Sequence, residues 1–193
     1  MSQSSDFNMS EKPKMKALED VFRNPTEEEL YSSISEALKA KFMKLGDVHL
    51  EITAKGKFSE KMKNELEDYS LFILNIERMS PDLTGFITNK EKFGKSKPII
   101  VVEVKKRLAL KDIYQTKRYA EILNATYALL ISPQILSSER RKFLMKRREE
   151  LTRFYPGKQI LIGYIVHGQY TKSIQIDEDL YYSAYEPFKH ESK

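Results

Sequence analysis

Apolar residues recur along this chain at two spacings, and those spacings predict most of its elements. Between Thr26 and Gly46, Leu30, Ile34, Ala37, Leu38 and Leu45 fall on one helical face. Thr26 and Glu29 have the spacing of a capping box, and Gly46 is a helix stop. Residues 47–58 predict a short strand or hairpin, and 59–69 a short charged helix. SLFILNIERM (70–79) reads as a strand, SPDLTGFITN (80–89) as its hairpin partner, and PIIVVEVKK (98–106) as the next strand. The link EKFGKSK is the expected turn between the last two. A helix follows over 109–124, an apolar strand over 126–132, a strongly basic helix over 134–153, and a buried strand over 158–168 after the Pro156–Gly157 turn. Residues 1–24 read as a polar, mobile arm, and the segment after Tyr170 shows no clear period. The expected fold class is α/β, a mixed central sheet flanked by helices with antiparallel hairpin strands. One domain is expected over 25–193, with its core at 26–132 and a C-terminal elaboration at 133–193.

PIIVVEVKK departs from its own pattern. Five apolar residues suit a strand buried on both faces, yet Glu103 interrupts the run and Lys105 and Lys106 close it. Side chains alternate along a strand, so Glu103 and Lys105 share a face with Ile99 and Val101. Asp82, just after Pro81, stands at the start of the preceding strand. If strands 70–79, 82–89 and 99–105 meander, Asp82 and Glu103 approach each other across adjacent strands. Two carboxylates with the Val104 main-chain carbonyl make an oxygen-donor site suited to Mg²⁺ or Mn²⁺. Lys105, beside Glu103, would orient or deprotonate a water, or offset charge on a scissile phosphate.

Composition narrows the chemistry. The 193 residues include no Cys and three widely separated His, so disulfides, thiolate zinc sites and iron–sulfur clusters are excluded within this chain. There is no run of the ~20 apolar residues a membrane span needs, and the first residues lack the apolar middle of a signal peptide. A soluble intracellular protein without a membrane partner is expected. The net charge of +5 is unevenly spread. The windows Asn89–Arg118 and Glu139–Lys158 together carry +12, leaving −7 for the rest. That asymmetry suits a polyanionic partner, and it equally suits two solvated helix faces.

The pair Pro81–Asp82 followed by Glu103-Val104-Lys105 at the end of an apolar strand resembles the PD-(D/E)XK nuclease superfamily. That group includes type II restriction endonucleases, archaeal Holliday-junction resolvases and RecB-like exonuclease domains. Its αβββαβ restriction-endonuclease-like core has the element order read here over 26–132. On the next helix, Gln115 and Tyr119 fit the Q-x-x-x-Y element of the RecB-like branch. The resemblance implies a Mg²⁺-dependent deoxyribonuclease, with Mn²⁺ able to substitute. Asp82, Glu103 and the Val104 carbonyl would bind the metal, and Lys105 and Gln115 would act on water and substrate. It also implies a first-helix carboxylate. Among Glu27, Glu28, Glu29 and Glu36, Glu27 falls in the stripe of Leu30, Ile34 and Leu38, whereas Glu29 and Glu36 point nearly opposite. Lys106, Arg107, Lys111, Lys117, Arg118 and Tyr119 surround the site as expected DNA contacts, and Arg140, Arg141, Lys142, Lys146, Arg147 and Arg148 either extend that track or solvate a helix. Cutting two strands is easiest with two related sites, so a homodimer is expected.

Without the resemblance, the same residues fit a surface salt bridge beside a plain turn. Two rival functions follow, a non-catalytic nucleic-acid-binding module on the same fold and a protein-interaction or packaging factor. A buried carboxylate pair speaks against both, because like charges in contact destabilise a fold unless a cation joins them.

Overall fold

The structure, a computed structural model, describes residues 26–167, 172–177 and 180. The arm expected over 1–24 lies outside these residues, as do His190 and the His167 side chain. Helix α1 (Glu27–Phe42) begins with the expected capping box, Thr26 accepting from the Glu29 N–H and Glu29 accepting from that of Thr26. Leu30, Ile34, Leu38 and Phe42 form its buried stripe. Strand β1 (Asp47–Ile52) follows, then the short helix α2 (Glu60–Lys63) and helix α3 (Asp68–Ile76). Next come β2 (Leu83–Thr88), the one-turn helix α4 (Lys90–Phe93), β3 (Ile99–Val104), α5 (Leu110–Ile122) and β4 (Tyr127–Ser132). Helices α6 (Ser138–Lys146) and α7 (Arg148–Thr152) lead to β5 (Arg153–Tyr155), β6 (Lys158–His167) and β7 (Lys172–Ile176).

The fold is α/β, a mixed, open seven-stranded sheet flanked by helices. The strand order is β1-β2-β3-β4-β6-β5, and β7 also pairs with β6. The strands β1, β2 and β3 are antiparallel neighbours, whereas β3, β4 and the long β6 run parallel. A core lies on each face of this sheet. Leu30, Ile34, Leu38 and Phe42 of α1 pack on Leu83, Val102, Val104, Leu129 and Leu161. On the other face, Ile113, Tyr119 and Ala120 of α5 pack on Phe86, Val101, Leu130 and Ile160. Residues from β3 and β4 enter both cores, which is why their sequences read as continuous apolar runs.

Three expectations are corrected. Residues 70–79 are not a strand, because Asp68–Ile76 is helical with Ser70 and Leu74 buried one turn apart. The first strand of the meander is therefore β1, which pairs with β2 from Asp47↔Thr88 to Ile52↔Leu83. A short apolar run fits a buried strand and a half-buried helix equally well. Helix α3 ends in a Schellman turn. The Met79 N–H reaches the Leu74 carbonyl at 3.1 Å, that of Arg78 reaches Asn75 at 3.2 Å, and Arg78 takes φ 49°. The basic segment 134–153 is two helices interrupted at Arg147, followed by β5. The link EKFGKSK contains α4 over its first residues.

Candidate active site

The candidate site lies where β2 stops pairing with β3. Their register ends at Leu83↔Val102, so Asp82 comes opposite Glu103. The Val104 N–H points toward β2, finds no backbone partner there, and donates to Asp82 Oδ2 at 2.7 Å. One residue on, the Lys105 N–H faces the other neighbour and donates to the Ile131 carbonyl of β4. Asp82 thus serves as a side-chain substitute for a missing ladder bond.

The Pro81–Asp82 turn is fastened from β1. Thr53 is fully buried. Its N–H donates to the Asp82 carbonyl at 2.8 Å, and its hydroxyl donates to that of Pro81 at 2.8 Å and lies 2.9 Å from the Thr84 hydroxyl. From α1, the Tyr31 hydroxyl donates to Asp82 Oδ1 at 2.8 Å. Both Asp82 oxygens are therefore held, and the residue is 8% exposed.

Glu103 is different. It is 0% exposed, on the α5 side of the sheet, and its Oε1 has no partner among the described residues. Lys105 Nζ lies 3.0 Å from Glu103 Oε2 and 3.9 Å from Asp82 Oδ2, so its ammonium ion-pairs with Glu103 and faces both carboxylates. Burial and the neighbouring Asp82 carboxylate push the Glu103 pKa up to about 8, against the pull of Lys105. Burial also raises Asp82, although the Val104 N–H and the Tyr31 hydroxyl oppose it. For Lys105, burial disfavours the charge, but the Glu103 and Asp82 carboxylates outweigh it and raise its pKa.

The remaining expected residues fall at graded distances from this centre. Glu27, in the first turn of α1, accepts the Lys106 N–H at 3.3 Å, and its charge contributes to the rise at Asp82. Of the other first-helix candidates, Glu29 is engaged in the cap, Glu28 faces Lys55 at 3.9 Å, and Glu36 is exposed. Gln115 donates through Nε2 to the Tyr119 hydroxyl at 3.3 Å. Tyr119 is 3% exposed and belongs to the core, so it backs Gln115 instead of presenting a surface to DNA. Lys106, Arg107 and Lys111 are exposed, Lys117 is half-buried, and Arg118 pairs with Glu77 at 3.0 Å. In the second basic window, Arg141 donates through Nε and Nη2 to Asp177 Oδ1, Arg147 pairs with Glu150 and Arg153 with Glu149. Arg140 donates to the Leu108 carbonyl. Much of that window's charge is thus used within the fold.

Among the described residues, no three His, Cys, Asp or Glu side chains cluster closely enough to hold a metal ion by themselves. The carboxylates that converge are two, Asp82 and Glu103, with Glu27 at the rim. Their chemistry nevertheless fits a hard divalent cation, because two buried carboxylates meet a single ammonium, Lys105 at 3.0 Å from Glu103 Oε2, and Glu103 Oε1 is left without a partner. Tyr31 and Thr53 were not expected from the sequence. Tyr31 lies one helical turn after Glu27, which is the one signal that could have flagged it.

No described helix is long and apolar enough to cross a membrane. No family model matches the chain, and neither a curated protein nor a solved structure matches it.

Proposed function

We propose that the chain is a metal-dependent DNA nuclease with a restriction-endonuclease-like core of the PD-(D/E)XK type. The carrying observation is a pair of buried carboxylates, Glu103 and Asp82, set against one ammonium, Lys105, with Glu103 fully buried and its Oε1 without a partner. Lys105 can offset only one of the two charges, so the pair is unfavourable unless one carboxyl is protonated or a second cation joins them. The order α1, β1, β2, β3, α5, β4 agrees with the αβββαβ core once the intervening short helices are treated as insertions.

Asp82 and Glu103, with the Val104 main-chain carbonyl, would hold Mg²⁺ or Mn²⁺, and Glu27 would assist from the rim. When bound, the cation lowers the pKa of coordinated water and offsets charge on the phosphoryl oxygens. In the metal-free protein Lys105 is an ammonium, its charge favoured by Glu103 and Asp82. Its role is electrostatic, holding the attacking water and countering the charge of the pentacoordinate transition state. Gln115, backed by Tyr119, would orient the substrate phosphate. Lys106, Arg107 and Lys111 would contact neighbouring phosphates, and a homodimer would cut both strands of a duplex.

The test is incubation of plasmid and branched DNA with wild-type protein and Glu103→Ala, with and without Mg²⁺. Cleavage only by wild type and only with metal supports the reading. Equal behaviour of the two proteins contradicts it, and salt-sensitive binding without any cleavage points to the non-catalytic module instead.

A further inference from the structure

A groove of about 840 Å³ opens beside the Pro81–Asp82 turn, bounded by the loop after β1, by α2 and by α3. Its position is set by the fastening already described. Thr53 holds Pro81 and Asp82, the groove residues 54–56 follow Thr53 directly, and Ser80 precedes Pro81. The Gly56 N–H donates to Ser80 Oγ at 3.1 Å, tying the two walls together next to the carboxylates.

The lining combines two kinds of group. Phe72 on α3 is 60% exposed, and Phe58 lines the other segment half-buried, one side packed on the second core. Lys55, Lys63 and Arg78 also line it, against a single carboxylate, Asp68. Lys63 is shared with Glu60 at 2.7 Å and Lys55 with Glu28 at 3.9 Å, both pairs solvent-exposed. Arg78 has no acidic partner among the described residues. It also occupies the left-handed position of the α3 Schellman turn, φ 49°, where glycine would be less strained. Arg78 thus brings an exposed guanidinium without an acidic partner among the described residues to the groove wall.

We propose that this groove binds single-stranded DNA, so that the nuclease acts on substrates with a single-stranded arm, such as splayed ends, flaps or branches. Unpaired bases offer π-faces to Phe72 and Phe58 while their phosphates meet Lys55, Lys63 and Arg78. A duplex presents phosphates but no base faces, and would leave the aromatic rings bare. An apolar peptide would satisfy the rings but leave three cations desolvated. The arm would then lead from the groove past Ser80 to the Asp82–Glu103 pair.

The substrate assignment rests on the nuclease reading, but strand binding does not, and it is measured without cleavage. Fluorescence anisotropy in EDTA compares a labelled oligothymidylate with a labelled duplex of equal length, for wild type, Phe72→Ala and Arg78→Gly. Each variant is expected to weaken single-strand binding about tenfold and duplex binding less than about twofold. Arg78→Gly should also flatten the salt dependence of single-strand binding by about 0.7 in log–log slope. It should melt at or above the wild-type temperature, because glycine relieves the left-handed strain. Wild-type single-strand binding untouched by either variant, or a loss equal on both DNAs, overturns the proposal. If groove binding holds and Mg²⁺-dependent cleavage fails, the nuclease reading alone falls.

Discussion

Asp82 Oδ2 accepts the Val104 N–H at 2.7 Å, so the carboxylate of one strand completes the hydrogen bonding of the next and comes to rest opposite Glu103. This bond gives Asp82 two consequences at once. It closes the end of the β2–β3 ladder, and it forces a second carboxylate close to one that is already buried. The fold accepts that arrangement with only the Lys105 ammonium to offset the two carboxylates and with Glu103 Oε1 unpartnered.

Stability should therefore fall as pH rises. Glu103 ionises near 4.5 ordinarily and near 8 in the fold. Between those values the folded state binds more protons than the unfolded one, so the free energy of unfolding decreases with increasing pH. The contribution is fully present below about pH 4.5 and is lost as pH passes through about 8, and the raised Asp82 acts with the same sign. Without divalent metal, urea titrations from pH 5 to 9 should show this decline. Glu103→Gln, unable to ionise, should remove most of it and be the more stable protein at pH 9, by on the order of 1–3 kcal/mol. A flat profile in the wild type would show that Glu103 carries no such shift.

Tyr31→Phe keeps the ring packing of α1 and deletes one hydrogen bond to a carboxylate. Loss of about 1.5–3 kcal/mol is expected, with a weaker midpoint for Mg²⁺ activation because Asp82 is then held by Val104 alone. Chemical denaturation and a Mg²⁺ titration of activity measure the two effects separately.

Thr53→Val is nearly isosteric but leaves the Pro81 carbonyl and the Thr84 hydroxyl without their shared partner inside the protein. About 1–3 kcal/mol of stability should be lost. Cleavage should fall as well, since a displacement of the turn carries Asp82 with it. Thermal unfolding beside single-turnover cleavage distinguishes this from a purely structural effect, which would leave the rate of the folded fraction unchanged.

Lys105→Met removes the ammonium while retaining most of the apolar stem. Cleavage should drop by about 10²–10³-fold if the lysine stabilises transition-state charge. Glu103 should become still harder to ionise, because one of the opposing influences on its pKa disappears. A pH–rate series against wild type would show the profile displaced to higher pH.

How much of this was legible depended on whether the signal was local. The strands β3, β4 and β6 stood out because burial on both faces leaves an unbroken apolar run, and Glu103 and Lys105 stood out as its interruption. The αβββαβ order was read through a wrong first strand. SLFILNI has no period long enough to separate strand from helix, and its exposed Phe72 and Ile76 mimic an apolar strand in one dimension. The true first strand, DVHLEI, is half-exposed and weakly patterned. Tyr31 and Thr53 reach the Pro81–Asp82 turn from 51 and 28 residues away, through contacts that only the packed sheet creates. Tyr119, expected among the DNA contacts, lies in the core instead, because one helical turn of sequence does not say which face is covered.

The most direct measurement is calorimetric titration of Mn²⁺ into the protein at pH 7, in two buffers of different protonation enthalpy. If Glu103 and Asp82 form the cation site, binding should release close to one proton per chain, since Glu103 is protonated at pH 7 and must ionise to coordinate. Glu103→Gln should lose both the binding and the release. Mn²⁺ binding with no proton release, or equal binding by wild type and Glu103→Gln, would contradict the account.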